Sequence, residues 1–361
     1  MDVTAVVLAY GEQPYLYEVV DRVLASTGVT AQVVVVDNGC TGPSLDPLRD
    51  RPGVTLLEPG TNTGFTGGCN LGAAATDADF LAFINSDALV EPGALAALVA
   101  VAARPEVGLA SASLRLAATP ELLNTDGNPV HVLGLSWAGH LGEPASSYAT
   151  EKTITSATGA AVAVRREVWD ALGGFTEEFF AYCEDADLSL RCWQQGWDVV
   201  YVPDAVVLHH YEFGRNPAKF YLLERNRLAM VLSLYQARTL LLLAPVFLAF
   251  EVAMMAVAGR RLAARQAARL SLAAAGAPLV GRAPARRPAR PPAQRPRAGA
   301  PADRPLRLHR AAAPDGRGVV EPRHDRLLAA GPPAPLTRGR RSTPPVDRRW
   351  SRACPRGYSN I

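Results

Sequence analysis

The chain has 361 residues, 48% of them hydrophobic, and a formal net charge of +3. That near-neutral total hides a division: residues 1–259 carry 14 Lys or Arg against 29 Asp or Glu, whereas residues 260–361 carry 23 Arg, no Lys and 5 acidic residues. The first part is long enough to bury a full core. The second holds 16 of the 29 prolines and few large apolar residues, too few to fold alone. Five cysteines without a Cys-x-x-Cys pair exclude a disulfide framework and fit a reducing compartment. Met1-Asp2 leads straight into an apolar run, so no secretory leader is expected.

The pattern predicts a strand over 3–9 and an amphipathic helix over 15–26, with Leu16, Val19, Val20, Val23 and Leu24 at helical spacing. A buried strand at 32–36 stops at Asp37-Asn38-Gly39, and a third strand covers 54–57. Residues 70–75 read as a short helix and 80–84 as a fourth strand, stopped by Asn85-Ser86-Asp87. Pro92 opens a helix over 93–103. Residues 158–166 read as a turn entering a strand, with a short helix at 169–172 that stops at Gly173-Gly174. A helix at 188–195, strands at 199–202 and 205–208, and a helix at 219–234 follow. Short strands alternating with helices imply βαβ units and a largely parallel sheet, with ligands at the carboxyl ends of the strands.

Glu184-Asp185-Ala186-Asp187 is the sharpest chemical signal. Carboxylates this close raise one another's pKa, as a general base requires; an acidic helix start is the plainer account. Asp37 at a strand end suits the imide N–H of a pyrimidine base, or simply an Asx-turn. Residues 62–70, with glycines at 64, 67 and 68, form a Gly-rich run into a helix; it can bring N–H groups to a diphosphate but lacks the Gly-Lys-Ser/Thr ending of a Walker loop. Asn85 and Asp87, two apart past a strand, suit a hard cation, Mg2+ or Mn2+, or a strand-ending turn. Of His209 and His210, adjacent residues on a strand face opposite ways, so at most one serves as a ligand.

Taken in order, Val-Val-Asp-Asn at 35–38, Asn-x-Gly-Phe-x-Gly-Gly-x-Asn at 62–70, Asn-Ser-Asp-Ala at 85–88, Gly-Gly-Phe at 173–175 and Glu-Asp-Ala-Asp-Leu at 184–188 resemble the family-2 glycosyltransferases, and among them the bacterial rhamnosyltransferase-like branch. The resemblance covers about residues 3–235. It implies a GT-A fold, a Rossmann-like α/β sheet, mostly parallel, with flanking helices. It also implies a nucleotide-sugar donor, with dTDP-rhamnose the first candidate, a glycan or lipid-linked acceptor, and inversion at the anomeric carbon. Asp37 and Asn38 would hold the nucleobase, beside Ala9, Tyr10 and Glu12. Asn62, Gly64, Phe65, Gly67 and Asn70 would line the donor, as would Asn85, Ser86 and Asp87. Asn85 replaces the family's first Asp. Asp87 and His209 would hold the metal. Asp185 would be the base, tuned by Glu184. Gly159 and Ala160 would line the sugar cleft and Arg225, or Arg227, would meet the leaving diphosphate. Asp187, Trp193 and Trp197 are assigned to the acceptor, although core packing of the tryptophans is an equal alternative.

Three segments are therefore expected: a catalytic domain over 1–235, a membrane-associated apolar segment over 236–259 and a disordered Arg/Pro/Ala-rich tail over 260–361. Residues 240–258 carry one charge, Glu251, costing about 2.5–3.5 kcal/mol at mid-membrane. A location at the cytoplasmic face of the membrane follows, where nucleotide sugars are available. The tail reads as a lipid-attracted arm, a nucleic-acid arm or a translated frameshift. The loss of Lys and of all periodicity favours the last, and nucleic acid is not an expected partner. A nucleotidyltransferase and an inactive nucleotide-sugar-binding protein are the alternatives. The first lacks a basic Gly-rich signature after the first strand, where Ala9-Tyr10-Gly11-Glu12 stands.

Overall fold

The computed structural model describes residues 1–42, 44–211 and 219–275. Ten strands form one sheet. In chain order the elements are β1 (Asp2–Gly11), α1 (Leu16–Leu24), β2 (Thr30–Cys40), α2 (Asp46–Arg49), β3 (Val54–Leu57), α3 (Gly64–Ala74), β4 (Phe80–Ile84), β5 (Ala88–Val90) and α4 (Ala94–Ala102). Then come β6 (Val107–Leu116), β7 (Thr119–Thr125), β8 (Lys152–Thr153), β9 (Ala161–Arg165), α5 (Arg166–Leu172), α6 (Glu184–Gln194), β10 (Asp198–His209), α7 (Lys219–Leu234) and α8 (Ala237–Ala275).

The sheet runs β3-β2-β1-β4-β9-β6-β10-β5. Its first four strands are parallel, as the βαβ reading predicts. The second half is mixed: β9 lies antiparallel between β4 and β6, β10 is parallel to β6, and β5 closes the edge antiparallel to β10. Strands β5 to β8 were not foreseen. The run Val-Gly-Leu-Ala-Ser-Ala-Ser of β6 is poor in β-branched residues, and two of its partners, β9 and β10, are distant in sequence, while β7 follows it in a hairpin.

Alternation along β1 explains why both faces are covered. Val3, Ala5 and Val7 join Leu16, Val19, Val20 and Val23 of α1 and the residues of α4 in one core. Val6 points the other way, into a core with Cys69, Ala73, Trp169, Phe175 and Leu188. The glycines of α3 serve this packing. A Cβ on Gly68 would lie 2.2 Å from Leu8, and one on Gly72 would lie 2.4 Å from Val6. The Gly-rich run is therefore mostly helix, beginning at Gly64 rather than at residue 70, and it lets α3 approach β1 closely.

Helix α8 contains the apolar window Ala237–Ala256, of mean hydropathy 2.1 and only 6% buried, long enough to cross a bilayer. It includes Pro245 and continues to Ala275, past the expected boundary at residue 260. Glu251 is buried and pairs with Arg227 of α7. The expected disordered tail from residue 276 on, with its frameshift reading, lies outside the described residues.

Candidate active site

Polar side chains collect where the parallel strands end. Ala9 of β1 lies in register with Asp37 of β2, and the exposed Tyr10 ring passes 3.7 Å from where a Gly39 Cβ would be. Asp37 Oδ1 accepts from the N–H groups of Gly39 (3.1 Å) and Cys40 (2.8 Å), an Asx-turn that leaves Oδ2 without a partner among the described residues. Asn38 is buried and donates through Nδ2 to Asn62 Oδ1 (2.8 Å) and the Gly64 carbonyl (3.1 Å); its Oδ1 accepts from Thr63 N and Oγ1. Asn38 and Asn62 thus clasp β2 to the start of α3. Asn70 is similarly occupied, exchanging hydrogen bonds with the Phe175 backbone and donating to Glu177. The half-buried Phe65 packs toward Phe175. Asn38, Asn62 and Asn70 thus spend hydrogen bonds on holding α3 to β2 and to the segment after α5.

At the tip of β4, Asn85, Ser86 and Asp87 are half-buried between fully buried neighbours. The Asn85 N–H donates to the Ala160 carbonyl at 2.9 Å, tying this tip to the turn before β9. His209 ends β10 in register with Ala88, and its Nε2 lies 3.3 Å from Asp87 Oδ1. Its Nδ1 faces Asn124 Oδ1 at 2.7 Å, an acceptor, so Nδ1 carries the proton. Nε2 of His209 and Oδ1 of Asp87 thus face each other. Two cis ligands on Mg2+ or Mn2+ stand about 3 Å apart, so the pair fits one ion. Among the described residues no three His, Cys, Asp or Glu side chains converge on such a point. His210 turns away and stacks on Tyr15.

Asp185 sits in the first turn of α6 beside the same Gly159-Ala160 turn. Its Oδ2 accepts from Gly159 N (3.2 Å) and Asn128 Nδ2 (3.1 Å), and its Oδ1 from its neighbour Ala186 N (2.8 Å). Burial raises its pKa against these hydrogen bonds, which lower it. Glu184 is buried with Oε2 unpartnered; desolvation, then the Asp185 charge, pushes its pKa up to about 8. Burial thus works against ionising both carboxyls of this adjacent pair. Asn124 and Asn128, which touch His209 and Asp185, were missed in the sequence. They lie on β7 and the turn after it, with no motif around them.

Several expected contacts are corrected by the geometry. Asp187 is buried in an ion pair with Arg191 (2.7 Å) and accepts from Thr176, so it does not face an acceptor. Trp197 is 4% exposed and packs on Gly108, whereas Trp193 is partly exposed and donates to the Thr155 carbonyl. Arg225 spends its guanidinium on the Glu178 and Phe179 carbonyls. Arg227 is buried against Glu224, Glu251 and the Leu133 carbonyl. Neither arginine is aimed at a diphosphate. Glu12 is exposed beyond the end of β1.

A family profile described as "Glycosyltransferase like family 2" matches residues 1–232. An N-acetylglucosaminyl-diphospho-decaprenol L-rhamnosyltransferase of Mycobacterium tuberculosis (strain ATCC 25618 / H37Rv) is 32% identical over 247 residues, 59% of this chain and 78% of the relative. The O-antigen biosynthesis protein RfbC of Myxococcus xanthus is 29% identical over 58% of this chain but only 17% of its own length. Among solved structures, GalNAc-T7 with UDP, GalNAc and Mn2+ superposes with a TM-score of 0.53 at 15% identity, over 64% of this chain and 48% of that one, a likeness of fold. With the profile covering the whole sheet and both carboxylate motifs, the chain belongs to the glycosyltransferase-like family 2.

Proposed function

We propose that the chain is an inverting glycosyltransferase that moves a sugar from a nucleoside-diphosphate donor to a hydroxyl of a lipid-linked or cell-envelope glycan, with Asp185 as general base. The observation that carries this reading is Asp185 itself, beside a glycine turn and held by three hydrogen bonds. The acceptor hydroxyl gives its proton to Asp185 as its oxygen attacks the anomeric carbon, and the bond to the diphosphate breaks on the opposite face. A single displacement with Asp185 as base inverts the configuration. The Asp37 Oδ2 and the exposed Tyr10 ring suit the edge and face of a pyrimidine.

Asp87 and His209 would hold Mg2+ or Mn2+, with Asn124 orienting the imidazole; when bound, the ion supplies positive charge at the diphosphate. GalNAc-T7, which shares the fold and was solved with UDP and Mn2+ together, supports a divalent ion. The name of the mycobacterial relative supports a rhamnosyl donor, dTDP-rhamnose first, and a polyprenyl-diphosphate acceptor. The exposed apolar window of α8 supports work at the inner membrane surface.

The test is turnover by the full chain against a panel of dTDP-, UDP- and GDP-sugars with Mn2+ and polyprenyl-diphosphate glycans. Release of nucleoside diphosphate and an inverted glycoside are expected. Asp185→Asn is expected to lower kcat about 1,000-fold. Unchanged turnover in that variant sinks the base assignment.

A further inference from the structure

The segment that delivers Asp185 is strained. Phe180 has φ 64 and ψ −57, and the Ala181 N–H donates to the Phe179 carbonyl at 2.7 Å, which makes a γ-turn of the rare hand. Tyr182 (φ 71) and Cys183 (φ 65) are also left-handed. Three of the four non-glycine residues with positive φ among the described residues thus stand directly before Glu184 and Asp185. A side chain with a Cβ resists this conformation, so the surroundings must hold it.

Two elements grip the segment. On one side α3 approaches: the Thr66 N–H donates to the Phe180 carbonyl, Thr66 Oγ1 donates to the Glu177 carbonyl, and a Cβ on Gly64 would stand 2.4 Å from the Phe180 oxygen. On the other side is Asn226 of α7, fully buried. Its Nδ2 donates to three carbonyls of the strained run, Phe179 (2.9 Å), Ala181 (2.8 Å) and Tyr182 (2.8 Å). The Asn226 Oδ1 accepts from Arg225 Nε, and Arg225 Nη2 donates to the Glu178 and Phe179 carbonyls. Carbonyls in a left-handed turn cannot bond to their own helix, so a buried amide from outside must meet them.

We propose that Asn226, oriented by Arg225, is a positioning residue for the general base: it holds residues 179–182 in the turn that sets where α6 begins, and so where Asp185 points. This rests on Asp185 being the base. A misplacement of about 1 Å can cost about 100-fold in rate. The role therefore predicts a loss in kcat that leaves donor binding intact.

The experiment uses the full chain with Asn226→Asp, Asn226→Ala, Arg225→Ala and Asp185→Asn, comparing kcat, acceptor KM, the pH profile and Mn2+-dependent donor affinity. Both Asn226 variants should lose about 100-fold in kcat and Arg225→Ala about tenfold, with donor affinity within about twofold. Without its aim, Asp185 loses the Gly159 and Asn128 hydrogen bonds that lower its pKa, so the acid limb of kcat should move to higher pH. Wild-type kcat and an unmoved limb in the Asn226 variants would overturn the proposal. If those variants do not fold, Arg225→Ala decides alone: a loss of donor affinity would return Arg225 to the diphosphate and overturn the positioning role. Normal turnover by Asp185→Asn would strike the base assignment instead, so the two failures are distinguishable.

Discussion

In the parallel half of the sheet, strand-end side chains bond near their own place in the sequence. Asp37 caps residues two and three ahead, and Asn38 reaches Gly64, 26 residues on. In the mixed half the corresponding bonds span far more chain: Asn128 to Asp185 crosses 57 residues and Asn124 to His209 crosses 85. The two halves meet at the Asn85–Ala160 hydrogen bond. The parallel half is a scaffold set by local turns. The mixed half carries the proposed base and half of the proposed metal pair, each held by a distant asparagine. A reacting sugar would lie along the seam.

This division can be broken at the seam. Asp87→Ala should lower kcat/KM by 100-fold or more and abolish the response to Mn2+, measured by initial rates across a metal titration (about 2.7 kcal/mol or more). Asn124→Ala should act on the same response but less, weakening the apparent metal affinity about tenfold through a loosened His209. On the parallel side, Gly68→Val should leave the site chemistry alone and cost about 1–3 kcal/mol in urea unfolding, because Leu8 stands where the new side chain must go. Asn128→Ala should reduce kcat several-fold, about the worth of one hydrogen bond to a charged group, and raise the acid limb because one pKa-lowering donor is gone.

The smallest expected effect is on stability. The Glu184 pKa is raised to about 8, so the folded state holds a proton that the unfolded chain releases near its ordinary carboxylate value. This contribution is fully present at low pH and is lost as pH rises from about 4.5 through about 8. Glu184→Gln should therefore flatten the fall of Tm over that window and raise Tm by a few degrees at pH 8.5, measured by scanning calorimetry. An unchanged Tm profile would mean that Glu184 is ionised throughout.

Much of the parallel half was legible in advance. Apolar runs ended by Asp37 and Asn85 gave the strands, and the Glu-Asp-x-Asp run pointed to the residue proposed as base. The Gly-rich run was legible as important but not for what it does, since only the packed sheet shows Val6 and Leu8 filling the space above its glycines. The mixed half hid because β6 is rich in Ala and Ser and its partners β9 and β10 lie far along the chain. Asn124, Asn128 and Asn226 hid for a related reason: a lone asparagine carries no periodic signal, and its value comes from what the fold brings to it. Arg225 and Asp187 misled because charge near a base suggests a ligand, whereas here it satisfies carbonyls and a buried arginine.

The most direct test of the central claim is calorimetric titration of dTDP with Mn2+ into the wild-type chain, Asp87→Ala and Asp185→Asn, beside their turnover. If the seam divides labour as described, Asp87→Ala loses the Mn2+-dependent binding. Asp185→Asn binds the nucleotide as the parent does yet turns over donor about 1,000-fold more slowly. Undiminished binding by Asp87→Ala, or loss of binding by Asp185→Asn, would contradict that division.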